Sequence, residues 1–144
     1  MAQRAKRIEA WSYFEHTLAS GEVAERGHLA CIDTSSGELV AGQTGEGLIA
    51  IGYFDRDLTG DGAAKARVQL FSEKMIHRWA NDSGAGEVDS ADVGSACFIK
   101  DSETVTITPS GASPAGRVWA ANASYVWVEM ASDIGPQGPQ GDPG

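Results

Sequence analysis

A few residues in this chain have the types and spacing that chemistry needs. In "DRDLTGDG" (55–62), Asp55, Asp57 and Thr59 stand at alternate positions before Gly60, and Asp61 follows. The first half of a calcium loop is spaced this way, but such a loop closes on a bidentate glutamate at its twelfth position, which here is Ala66. No resident metal is therefore expected; Asp55, Asp57, Thr59 and Asp61 are a calcium candidate only, and a glycine-rich surface turn is the favoured reading. His28 and Cys31 read as half of a zinc site, with His16, His77 and Cys97 elsewhere. On an extended segment, residues three apart face opposite sides, so the two cannot share an ion without a bulge. A buried cysteine and a partly exposed histidine are expected instead. Asp101 and Glu103 form an acidic pair beside a turn with no catalytic partner in sequence, the pattern of a solvated loop. The sequons "NDS" (81–83) and "NAS" (122–124) matter only in a secreted protein. There is no nucleophile elbow, phosphate loop or His-Glu-X-X-His helix, so neither an enzyme nor a cofactor is expected.

The elements that would carry these residues read as strands. A hydrophobic content of 42% with 18 glycines and four tryptophans favours turns and strands over helices. Short β-branched and aromatic runs, broken by glycine-containing turns, predict an all-β sandwich or barrel. The expected strands are 8–15, 23–33, 47–55, 66–79, 96–100, 104–108, 117–121 and 125–130. Segment 66–79 could be helical, but its alternation also fits one long bent strand with a bulge at "SEK" (72–74), and strand is favoured. The last two runs form a hairpin around Asn122–Ser124, in which Trp119 is expected to pair with Trp127 or Tyr125.

The two ends differ from this body. Arg4, Lys6 and Arg7 make a basic N-terminal arm (1–7) on a chain of net charge −9, a balance that argues against direct nucleic-acid binding and suits an acidic protein neighbour. No apolar signal-peptide core and no run of membrane-spanning length is present, so synthesis in the cytoplasm is expected, with no membrane partner. Cys31 and Cys97 are too few for a disulfide scaffold and are expected as free thiols; a mutual cross-link is the alternative if the protein meets an oxidising exterior. After the body (8–130) and a polar linker "ASDI" (131–134), the chain reads "GPQGPQGDPG" (135–144). Gly135, Gly138, Gly141 and Gly144 recur at every third position among prolines, the composition of a collagen triple helix, which needs three chains. At about 3.1 Å per residue the segment reaches only about 30 Å, so the trimer must be made upstream.

Three stretches carry a family likeness: 24–62, "WANDSGAGEVDSADVGSACFIKDSETVTIT" (79–108) and "SPAGRVWAANASYVWVEM" (113–130). Together they resemble the head decoration, or capsid cement, proteins of tailed bacteriophages, and the likeness extends over nearly the whole body. The resemblance implies a small β-barrel or β-tulip-like fold. It further implies homotrimers on the outer surface of an expanded icosahedral head, which clamp the major capsid protein against internal pressure and do no chemistry. Arg4, Lys6 and Arg7 are then capsid-contact candidates, and the collagen-like extension, a departure from the minimal family pattern, projects outward. The alternative is a trimeric adhesion module whose β domain or collagen-like stalk binds a host receptor or glycan. Trp11, Trp79, Trp119 and Trp127 could stack on sugars, although core packing is the expectation for most of them.

Overall fold

The computed structural model describes residues 13–72 and 75–130. The arm residues Arg4, Lys6 and Arg7, Trp11, and the repeat glycines Gly135, Gly138, Gly141 and Gly144 lie outside the described residues. The chain forms β1 (Tyr13–Thr17), β2 (Val23–Ala24), β3 (Leu29–Asp33), β4 (Leu39–Ala41), β5 (Leu48–Phe54), β6 (Leu58–Thr59) and β7 (Lys65–Leu70). It continues through β8 (Ile76–Asn81), β9 (Ala96–Ile99), β10 (Thr104–Thr106), β11 (Pro114–Ala121) and β12 (Tyr125–Met130). The fold is all-β, as expected. It comprises an antiparallel five-stranded sheet, β1-β7-β5-β3-β4, a closed five-stranded barrel, β10-β8-β12-β11-β9, and a small β2-β6 ribbon. Only the β8–β10 pair in the barrel is parallel.

β5 shows why the halves hold together. Its sequence, LIAIGYF, is apolar throughout because both of its faces are covered. Leu48, Ala50 and Tyr53 pack into a core shared with the barrel, whereas Ile49, Ile51 and Phe54 pack into a second core with Leu18, Ala24 and Leu39. The switch of faces along β5 has a cause: Ala30 pairs with Gly52 while the next residue, Cys31, pairs with Ala50, leaving Ile51 as the extra residue of a bulge. On the other side of β5, Gly52 lies so close to β7 that an added Cβ would strike the Gln69 carbonyl and the Val68 side chain.

The barrel alternates more regularly. Val126, Val128 and Met130 point inward with Val118, Ile99 and Val105, while Tyr125, Trp127 and Glu129 lie on the outer face of β12. The turn is where the sequence places it, because Asn122 Oδ1 accepts from the amides of Ser124 and Tyr125, both at 2.9 Å. The stretch "VDSADVG" (88–94) folds into a single 3-10 turn, Ser90–Asp92, closed by reciprocal caps between Asp89 and Asp92. Gly94 follows with φ of 90° and donates its amide to the Val118 carbonyl, attaching the turn to β11.

Several expectations are corrected. Segment 66–79 is two strands in different sheets: β7 ends at Leu70, Phe71 turns into the shared core, and the Met75 amide donates to the Ser72 carbonyl before β8 begins. Each half supplies apolar residues to one interface, which mimics a continuous strand in sequence. Residues 73 and 74 of the expected bulge lie outside the described residues. Segment 23–33 is split by a turn in which the His28 amide donates to the Glu25 carbonyl. Trp119 does not pair with Trp127 or Tyr125: a β11 bulge brings Ala120 opposite Trp127 and leaves Trp119 exposed. β4 and β6, of three and two residues, have too little pattern to be read from sequence. Gly52→Ala is expected to destabilise the protein by about 1–3 kcal/mol through overpacking against β7, measured as a lowered urea midpoint with unchanged m-value.

Candidate functional site

The acidic loop does not assemble a metal site. Asp55 Oδ2 lies 3.3 Å from Arg67 Nε and 3.7 Å from Arg56 Nη2, and the Arg67 guanidinium also sits 4.0 Å from the centre of the Tyr13 ring. Asp57 Oδ1 accepts from the Arg26 amide at 2.9 Å. Asp61 Oδ1 accepts from the amides of Ala64 and Ala63, and these bonds hold its carboxyl below the usual carboxylate range. Thr59 belongs to β6 and pairs with Val23. The carboxylates thus serve separate parts of the chain, and no group of three metal-ligating side chains occurs among the described residues.

The polar hub of the molecule is His28, at the turn between β2 and β3. Its Nδ1 lies 2.8 Å from Ser102 Oγ, and its Nε2 lies 3.0 Å from Glu103 Oε2 and 3.3 Å from Glu25 Oε1. Glu103 is therefore engaged across the molecule, whereas Asp101 turns back to accept from the Glu103 amide. The imidazole ties the β2–β3 turn to the β9–β10 turn. His28 and Arg26 divide two depressions. One, of about 500 Å³, is walled by Val23, Glu25, Asp57 and Leu58. The other, of about 240 Å³, runs past Arg78, Trp79, Glu103 and Tyr125. The Arg78 guanidinium lies 4.0 Å from the centre of the Tyr125 ring. Ser102, Arg26 and Arg78 carry no signal in the sequence; Ser102 and His28 are 74 positions apart and meet only through the pairing of the sheets.

A second polar tie stands where the barrel closes. Asp82, 9% exposed, receives the Lys100 ammonium and the Ser83 amide, and the Lys100 bond holds its carboxyl below the usual range despite burial. Gly86 lies against Asp82 and Thr106 and leaves no room for a Cβ. Lys100→Met is expected to cost about 1–2 kcal/mol at neutral pH by stripping a buried carboxylate of its partner. Because the folded-state pKa of Asp82 is lowered, this stability is present above the unfolded value, about 3.9, and is lost as pH falls through the folded value. The gap in urea midpoint between wild type and variant should be full at pH 7 and should close as pH falls below the unfolded value and through the lowered folded one.

Cys31 and Cys97 are free thiols buried in one apolar core, and that burial, as the largest cause, pushes both up to about 12. His28 and Cys31 part company as expected, one toward the turn and one inward. His77 stacks on Trp79 with ring centres 4.2 Å apart, and burial holds its imidazole below its ordinary pKa. Trp79 is buried and donates from Nε1 to Met130 Sδ at 3.3 Å, Trp127 is half-buried, and Trp119 is 58% exposed. In native protein neither cysteine should react with a thiol reagent at neutral pH, whereas two thiols should titrate in guanidinium; fast labelling of native protein would contradict this burial.

The described residues thus define an all-β protein with a sheet, a barrel and a polar seam between their turns. No helix among them is long and apolar enough to cross a membrane. No family model matches the chain, and neither the curated proteins nor the solved structures contain a match.

Proposed function

We propose that the protein is a virion structural protein of a tailed bacteriophage. It binds the outer surface of the icosahedral head as a trimer, stabilises the capsid against internal pressure and projects a collagen-like fibre. The observation that carries this reading is the Gly-X-Y register that follows the last strand in sequence. β12 runs through the barrel wall to Met130, and the Gly-X-Y register begins at Gly135. Gly-X-Y winding requires three chains, and the sequence likeness to capsid cement proteins supplies a setting in which three-chain β bodies act. The partner is the major capsid protein; neither nucleic acid nor membrane is a partner, and the role is binding without catalysis. Three linked bodies gain affinity because the second and third contacts are intramolecular. The basic arm, with Arg4, Lys6 and Arg7, is the capsid-facing segment on an otherwise acidic chain.

A second reading, a trimeric adhesion module, is favoured by the concave seam beside Arg78 and Tyr125. An aromatic face next to charged hydrogen-bonding groups is the composition of a small polar-ligand site, and a host receptor or glycan would occupy it.

Purified protein mixed with DNA-filled, undecorated heads should bind saturably with a stoichiometry fixed by icosahedral symmetry. Removing residues 1–7 should weaken head binding by about tenfold or more while leaving trimers intact. Absence of saturable head binding, together with binding to host-surface glycans, would replace the cement reading with the adhesion one.

A further inference from the structure

We infer that the outer face of the β8-β12-β11 ladder is the surface through which three copies of this chain meet. This rests on the trimeric reading above and names the partner surface within it.

The face follows from register. On β12, Tyr125, Trp127 and Glu129 alternate with the buried Val126, Val128 and Met130. On one side β8 places Arg78 opposite Trp127 and Ile76 opposite Glu129; on the other, β11 places Arg117 opposite Glu129 and, through its bulge, leaves Trp119 outside. Trp119 is 58% exposed, Ile76 40% and Tyr125 38%. Partly exposed tryptophan, tyrosine and arginine on one rigid wall form the composition of an interface core, not of a solvated one. The side chains are already ordered: Arg78 lies over Tyr125, and Tyr125 meets Trp127 edge to face at 6.2 Å. Holding these groups in place beforehand reduces the entropy lost on association.

The tether selects the occupant. Five Cα steps separate Met130 from Gly135, so at about 3.4 Å per step Met130 lies within about 17 Å of the axis on which three Gly-X-Y strands wind. β12 is itself about 20 Å long. The end of β12 then stands near that axis, which brings the wall built around β12 within reach of the same wall in two other copies. A capsid or glycan partner has no such constraint and could sit anywhere on the body.

The test uses the full chain and its mass in solution at micromolar concentration, by sedimentation and native mass spectrometry. Wild type should be a trimer. Trp119→Ser, Tyr125→Ser and Ile76→Ser should each raise the concentration at which trimers dissociate by about tenfold, and the triple variant should be a monomer with an unchanged far-UV spectrum. Val23→Ser, an exposed site on the ribbon, should remain trimeric. If the triple variant loses its fold, the conservative Trp119→His and Ile76→Thr decide: each should raise the concentration at which trimers dissociate while keeping the far-UV spectrum, and unchanged dissociation in both overturns the inference. A folded triple variant that stays trimeric also overturns it. If that variant in addition fails to bind heads, the face is a head-docking surface and the proposed function survives. A wild type that is monomeric at every concentration overturns both this inference and the free trimer on which it rests.

Discussion

Everything in the body depends on one apolar layer, the contact between the inner face of the five-stranded sheet and the wall of the barrel. Leu48, Ala50 and Cys31 meet Trp79, Val126, Val128 and Met130 in that layer, with Phe71 inserted at the crossing point. The constraint it imposes is strict. β5 must be apolar on both faces, β7 must approach it closely enough to require Gly52, and the chain must turn between Leu70 and Ile76 to pass from sheet to barrel. Close packing of this kind leaves little freedom for the side chains that bound it. His77 stacks on Trp79 and meets the ring of Phe71 edge-on at 5.8 Å and that of Tyr53 at a tilt at 5.3 Å, because the layer continues to its edge there.

The polar groups act at the rim of this layer. His28 ties the turn before β3 to the turn before β10, and Lys100 with Asp82 ties the end of β9 to the residues after β8. The His28 tie bridges segments 74 positions apart, one beside the sheet and one in the barrel, and restrains their relative placement, whereas the Lys100–Asp82 tie holds the barrel to itself. The acidic loop 55–62 contributes differently: its carboxylates are consumed by Arg67, by the Arg26 amide and by the loop's own backbone.

The outer wall of the barrel differs in character from the seam. The seam is concave and of mixed charge, whereas the β8-β12-β11 face is broad and aromatic, and the two adjoin at Arg78 and Tyr125, which border both. The strand common to the aromatic wall, β12, is also the last element before the glycine repeat in sequence.

Local pattern was legible wherever one strand faced one environment. β9, β10 and β12 lie inside the runs read from sequence, and the hairpin turn at Asn122 was marked by its residue types. The reading failed where two elements shared one core. Residues 66–79 look like one strand because both halves feed the same layer, and Trp119 looks like a pairing residue because a bulge has no signature in alternation alone. By itself the sequence determined the all-β class, the burial of Cys31, the absence of a closing ligand in the acidic loop, and the triplet register at the C-terminus, since each follows from residue type and spacing along the chain. Only the tertiary structure decided that the body is a sheet joined to a barrel, that His28 meets Ser102 and Glu103, and that Tyr125, Trp127, Trp119 and Ile76 share one wall. Those outcomes depend on which strands pair, and pairing is set by the free energy of burying both halves together, a quantity that no local stretch of sequence contains.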